Sequence, residues 1–348
     1  MKIYVSVFNS LLNRKVCSMS DIQKIKVGVI GTGALGRHHA RLYAQNPNAE
    51  VVGVYDVFPE SAAKVAAEFG LKAYTDWKAL AEECDALSVA VPATLHAEVT
   101  IPLMEMGKHI LVEKPIAASL DEAVAMVNAA KKNNLVFGVG HVERFNQATD
   151  FIDTMPGNVR YIDARRMAAY PPARPGMHRR GTEVSVILDL MVHDLDLILH
   201  LIDSEVEKID VMGVPVLSET EDMVNARIKF KNGSCASVSA SRVSTNPERI
   251  VKVYQDDRCV TLDYGQHTGN INRCQDGEVV AETVELGEKN ALADELNDFI
   301  VAVQKSRETG KLCQPKVTGD DGLAALKLAL DIEAEARRYC AEYGIAAK

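Results

Sequence analysis

Val27-Gly-Val-Ile-Gly-Thr-Gly-Ala-Leu-Gly36, running on to Val51-Val-Gly-Val-Tyr-Asp56, is the stretch on which the reading of this chain turns. A short apolar run, Val27, Val29 and Ile30, ends in Gly31-x-Gly33-x-x-Gly36, and a helix-forming segment over 38–45 follows. The pattern is strand, tight turn, helix. The first two glycines let the backbone turn sharply and approach a pyrophosphate, and the third lets helix and strand pack closely, with the phosphates at the helix N-terminus. Gly31, Thr32, Gly33, Ala34, Leu35 and Gly36 are therefore expected to hold a dinucleotide. A second apolar run stops at Asp56, twenty residues after Gly36, where a carboxylate can accept hydrogen bonds from both hydroxyls of an adenosine ribose. That favours NAD over NADP. The bland alternative is a glycine-rich turn that only begins a helix.

The chain's 348 residues can bury a sizeable core and divide into two domains. With 47% hydrophobic and 25% charged residues it has the composition of an ordinary globular protein. A net charge of -9 argues against a general surface for nucleic acid or anionic membrane, while leaving room for a local basic pocket. Seven scattered cysteines without CxxC pairing fit reduced thiols in a cytoplasm. No metal site is expected. Residues 1–24 read as a disordered or loosely attached extension, and no run approaches the ~18 apolar residues that cross a bilayer.

Strand and helix then alternate. Helices are expected over 61–69, 77–83, 94–106 and 119–133, and strands over 73–74, 86–91, 108–113 and 135–139. Short links between such units imply a parallel sheet covered on both faces, with ligands at the carboxyl ends of the strands. This is a doubly wound Rossmann domain over 25–143. From 144 to 348 the texture changes to longer alternating strands over 159–166, 207–213, 223–230, 235–242, 250–255 and 259–264. Asn232-Gly233 is a strong hairpin signal. The expected second domain is α+β, with a large, mostly antiparallel open sheet, a helix over 184–201, and closing helices over 291–305 and 322–343 that pack back. An open sheet face calls for a cover, so a homodimer or homotetramer through it is expected.

Glu113-Lys114-Pro115 sits at a strand end beside the nucleotide loop, where a lysine can stabilise negative charge on a substrate oxygen. A surface lysine paired with a glutamate is the alternative. In Asp189-Leu-Met-Val-His193-Asp-Leu-Asp196-Leu-Ile-Leu-His200, the residues Asp189, His193, Asp196 and His200 form a polar stripe at helical spacing. Asp189 one turn before His193 would orient an imidazole suited to taking an alcohol proton. A satisfied core pair and a metal site are the competing readings. Pro92, Thr94 and His96 follow a core strand and are expected near the nicotinamide, although His96 could simply begin a helix. The segment 165–182, with Arg174, His178, Arg179 and Arg180, reads as a basic loop, either solvated or suited to phosphate oxygens.

Taken together, the glycine fingerprint, Glu113-Lys-Pro115 and Asp189-x-x-x-His193 resemble the glucose-fructose oxidoreductase, inositol dehydrogenase and rhizopine-catabolism (Gfo/Idh/MocA) family, from Ile25 to the C-terminus. Gly140-His-Val-Glu-Arg144-Phe-Asn146, Arg180-Gly-Thr182 and Gly213-Val-Pro-Val resemble the branch acting on carbon 3 of UDP-N-acetylglucosamine, with Gln147 departing from a more usual proline. The resemblance implies NAD-dependent oxidation of a secondary sugar alcohol. Lys114 and His193 would be catalytic, Asp189 would orient His193, and Glu113 and Lys114 would border the cofactor. Arg144, Asn146, Arg180 and His193 would meet the substrate. A free polyol such as inositol as substrate, or a non-catalytic nucleotide-binding regulator, are the alternatives.

Overall fold

The computed structural model describes residues 23–172, 184–287 and 289–345. The expectation for the N-terminal extension falls almost wholly outside them, as does that for Arg180. The first domain runs β1 (Ile25–Ile30), α1 (Ala34–Gln45), β2 (Ala49–Tyr55), α2 (Pro59–Phe69), β3 (Ala73–Tyr74), α3 (Trp77–Glu83), β4 (Ala86–Val89), α4 (His96–Glu105), β5 (His109–Glu113), α5 (Leu120–Lys132) and β6 (Phe137–Gly140). Its parallel strands lie in the order β3-β2-β1-β4-β5-β6. The order reverses between β1 and β4, and the crevice at their carboxyl ends is where such sheets bind ligands. Helices start where the sequence supplies acceptors: Asp76 caps α3, and Ser119 with Glu122 forms a capping box on α5.

The second domain contains α6 (Gln147–Asp153), β7 (Val159–Met167), α7 (Val192–Leu201), β8 (Val206–Val214), β9 (Met223–Phe230), β10 (Cys235–Ser241), β11 (Glu248–Gln255), β12 (Arg258–Asp263), β13 (Thr268–Gln275) and β14 (Glu278–Glu285). These strands pair in the order β14-β13-β12-β11-β7-β10-β9-β8, antiparallel except for β10 beside β7. Alternate residues such as Ile162, Ala164, Val238, Ala240, Val251 and Val253 are buried on one face under α7. The hairpin β13–β14 was not anticipated. Its strands are mostly polar and exposed, and only its tight turn, Asp276-Gly277 with both residues at positive φ, signals it. The expected helix over 184–201 is also modified, because its first turns, Ile187–Met191, are a π-helix.

Two C-terminal helices, α8 (Ala291–Thr309) and α9 (Gly319–Glu342), close the molecule. Leu296, Phe299, Ile300 and Val303 of α8 join the core behind β1, and α9 contributes Leu326 to the first domain and Ala325, Ala329 and Ile332 to the second. One helix therefore cements both domains. Among the described residues, no helix is long and apolar enough to cross a membrane.

At the start of α9, a Cβ on Gly319 would lie 2.3 Å from Cδ1 of Phe137, which is fully buried and has nowhere to move. Gly319→Ala should destabilise the protein by about 1–3 kcal/mol, the usual range for overpacking, because helix propensity returns at most about 1 kcal/mol. Urea denaturation checks this, and an unchanged midpoint would show that α9 docks more loosely than described.

Candidate active site

Each glycine of the turn has its own geometric reason. Gly31 has φ +90°, and a Cβ there would sit 2.5 Å from the carbonyl oxygen of Ala90; at Gly36 it would sit 1.8 Å from that of Gly31. Around Gly33 nothing approaches within 4 Å, so this face of the loop is open. Gly33 is the N-cap of α1, no side chain caps that end, and no acidic residue lies in the first turn. Unclaimed N–H groups beside an open glycine are a cradle for a pyrophosphate. Asp56 holds the loop: its Oδ2 accepts from Thr32 N at 2.6 Å and Thr32 Oγ1 at 2.9 Å, and its Oδ1 from Phe58 N at 2.9 Å. The residues fit a dinucleotide.

Glu113 is not the surface partner of a surface lysine. It is buried, with Oε1 2.9 Å from His39 Nε2 on α1, while His39 Nδ1 is 2.7 Å from Ser88 Oγ on β4. Burial pushes the Glu113 carboxyl up, but the His39 hydrogen bond and the charges of His39 and Lys114 outweigh it and hold it below its ordinary value. Lys114, joined to Pro115 by a cis peptide, reaches across to the second domain, where Nζ donates to the main-chain oxygen of Asp189 at 2.7 Å.

A cavity of about 750 Å³ opens between the domains, lined by Leu35, Glu113, Lys114, Asp189, His193 and Arg249 among others. His193 is half-buried in its wall. Its Nδ1 is buried and unpartnered, which leaves Nε2 as the ring nitrogen turned to the cavity. Burial first, then the charges of Lys114 and Arg166, push His193 well below its ordinary value, so it is a neutral imidazole.

The expected Asp189–His193 pair does not form. The π-helical turns widen the spacing at this point, so residues four apart are out of the phase that an α-helix would give them, and the Asp189 carboxylate lies 3.8 Å from Lys114 Nζ instead. Three further expectations are corrected. His96 is buried, with its nitrogens 3.0 Å from the main-chain oxygens of Pro115 and Val91, so it ties the loops of β4 and β5 rather than facing a ligand. Arg144 does not line the large cavity but pairs with Asp196 at 3.3 Å. Asn146 caps α6 through Ala148 N and donates to Glu143. Pro92 and Thr94 lie exposed beyond β4.

The 165–182 segment is not one basic loop. Arg166 belongs to β7 and is buried in a fork on Asp194, at 2.8 and 3.0 Å, with a third bond to Glu143 at 2.9 Å. Only 168–172 reaches the cavity wall before the undescribed stretch. Sequence reading missed Arg242, fully buried and bonded to Asp222 at 2.7 Å, and Arg249. Asp222 is held down to about 2: burial opposes this, but bonds from Ser218, the Leu217 amide and Arg242 prevail. Arg249 is exposed at the cavity and its guanidinium forms no ion pair or hydrogen bond with the described residues; its place on an alternating strand was the available signal.

Residues 25–141 match the family described as oxidoreductases with an NAD-binding Rossmann fold, and residues 152–260 match the Gfo/Idh/MocA C-terminal domain. The chain belongs to the Gfo/Idh/MocA oxidoreductases. It is 35% identical to the UDP-N-acetylglucosamine 3-dehydrogenase of Acidithiobacillus ferrooxidans over 81% of this chain and 90% of that protein. The solved structure of the same enzyme superposes with a TM-score of 0.82, covering 91% of this chain and 99% of that one at 33% identity. The NAD-dependent scyllo-inositol 2-dehydrogenase of Bacillus subtilis is 29% identical over 64% of this chain and 68% of that protein. As a family member the protein is a nicotinamide-dependent oxidoreductase acting on CH–OH groups.

Lys114 is the largest charge acting on His193, which fixes a sign. In ring-nitrogen NMR titrations His193 should titrate well below 6.5, the ordinary value, and Lys114→Met should move it upward, since removing a cation favours imidazolium. A downward shift or none would place the lysine's field elsewhere.

Proposed function

We propose that this protein oxidises a secondary alcohol of a sugar with NAD, and that the sugar is an N-acetylated hexose carried on UDP, reacting at carbon 3. The observation that carries the proposal is the convergence of Lys114, anchored on Asp189, and the neutral His193 on the cavity beside the open glycine loop. His193 Nε2 takes the hydroxyl proton. Lys114 stabilises the oxygen as charge develops on it. The nicotinamide, when bound, accepts the hydride. Gly31 to Gly36 would hold its pyrophosphate, and Asp56 supports NAD because a 2′-phosphate would meet a carboxylate that already accepts three hydrogen bonds.

The unpaired Arg249 guanidinium favours a substrate with phosphate oxygens, which it can bind through two parallel N–H groups. A free inositol would leave it unused. The outward sheet face, with the rings of Tyr161 and Tyr254 in contact at 5.7 Å and tilted by 45°, and Val279 78% exposed on the edge hairpin, supports a homo-oligomer through that face.

NADH formation from NAD and UDP-N-acetylglucosamine, with mass spectrometry for a product lighter by two hydrogens, tests the reading. Lys114→Met and His193→Ala should each lower kcat by roughly 10² to 10⁴. Arg249→Ala should raise KM for the nucleotide sugar about tenfold or more with little change in kcat, as expected when a charge-assisted bond worth about 1.5–3 kcal/mol is lost. Turnover of free polyols with none of UDP-sugars would refute the substrate, and tighter binding of NADP than NAD would refute the role of Asp56. Sedimentation should show a dimer or tetramer; a monomer at all concentrations would remove the sheet-face interface.

A further inference from the structure

His141 is a buried titratable group for which the chemistry above has no use. It follows β6 directly, 1% of its surface is exposed, and neither ring nitrogen has a hydrogen-bond partner. Its ring stands edge-on to that of His193, with centroids 6.4 Å apart and planes at 87°. The inward nitrogen of His193, Nδ1, is the unpartnered one. Asp196, three residues after His193 on α7, is the charge that acts most strongly on His141; its Oδ2 is also buried and unpartnered, while Oδ1 takes the Arg144 guanidinium. Asp196 and Arg144 line a second cavity of about 470 Å³ with His200, Asp203 and Asp321. Three side chains in a row, from one cavity to the other, each leave a proton donor or acceptor without a partner. Each such atom costs about 1–3 kcal/mol when buried, a burden that an apolar filling would not carry.

We propose that His141 is a proton-relay residue that carries the substrate's proton from His193 to Asp196 and on to water in the second cavity, behind the bound reactants. The inference rests on the oxidation proposed above. The hydroxyl proton goes to His193 Nε2 while the hydride leaves with its electron pair for the nicotinamide. The Nδ1 proton of the imidazolium then passes to one nitrogen of His141, whose other nitrogen releases a proton to Asp196 Oδ2 and thence to solvent. One proton leaves per turnover; once the product has left, a shift back along the row, with a proton taken up from the second cavity and the one on His193 Nε2 given to water in the reopened front cavity, restores each tautomer without further net release. A single water molecule, making two hydrogen bonds of about 2.8 Å, spans the gap between two rings at this separation. A sugar and a dinucleotide filling the front cavity would close the other exit. The groups facing His141 are His193 and Asp196 of α7, Glu113 and Lys114 at the end of β5, and Arg144 of its own turn. Burial holds His141 below its ordinary value against the pull of Asp196, with Lys114 and Arg144 acting in the same sense as burial, so the ring passes a proton on and does not store it.

The test is a single-turnover stopped-flow experiment that follows NADH and, with a pH indicator, released protons. In the wild type the two should appear together. In His141→Phe, NADH should form in the first turnover within a few-fold of the wild-type rate and KM should hold. Proton release and kcat should both fall tenfold or more; in His141→Ala, which leaves room for the ring, imidazole in the buffer should restore them. Asp196→Asn, which interrupts the row further out, should give the same signature. Proton release as fast as wild type in both variants would overturn the relay, as would a kcat loss that takes the NADH burst with it and resists imidazole. If the wild type forms no NADH from any sugar, it is the oxidation that has failed. Exchange of the His193 ring N–H with water, read by NMR in the NADH complex without sugar, then decides the relay: tenfold slowing in His141→Phe upholds it and no change overturns it.

Discussion

The bond from Lys114 Nζ to the main-chain oxygen of Asp189 joins the two domains at the wall of the large cavity. A carbonyl inside an α-helix is already claimed by the amide four residues on, so a lysine from another domain finds it a poor target. Here the first turns are π-helical, and that irregularity exposes a carbonyl where the lysine arrives. The ammonium is thereby fixed from both sides, by the end of β5 and by the second domain's helix. His193, two residues past the π-helical turns, then faces the same cavity.

Supporting this contact is a set of charges that water does not reach. Glu113 is fixed by His39, which Ser88 orients in turn, so α1, β4 and β5 share one hydrogen-bonded chain under the glycine loop. On the other side Arg166 ties β7, α7 and the turn after β6 through Asp194 and Glu143. Removing one member of such a set leaves a buried charge uncompensated, which costs more than the pair itself contributes. Glu295 on α8, with both oxygens unpartnered, is raised well above the carboxylate range by burial and then by Glu113 and Asp196, which makes it a neutral acid beneath the site.

What could be read from sequence divides along physical lines. The glycine turn was legible because backbone constraints choose the residue type locally: positive φ at Gly31 and contact at Gly36 admit little else. Strands β7 to β12 were legible because one face is buried and the pattern alternates. The hairpin β13–β14 was hidden because an exposed edge has no such pattern to keep. Asp189 and His193 were assigned to each other because a period of 3.6 was assumed where the turn is wider. Arg144 was assigned to substrate because its partner Asp196 lies 52 residues away, and no local rule connects them. Residue type revealed which groups were chemically able; only the fold reveals which are already engaged.

That distinction also orders the basic residues of the second domain. Arg144, Arg166 and Arg242 are buried and committed to Asp196, Asp194 and Asp222, so their charges are neutralised within the protein. Arg249, one strand over from Arg166 in register, is exposed at the cavity and carries no such commitment. A guanidinium left unpaired in a protein of net charge -9 is not explained by overall charge balance, since carboxylates are plentiful. It is explained if the missing anion arrives with a ligand, in the cavity that Arg249 lines together with Leu35 of the nucleotide loop.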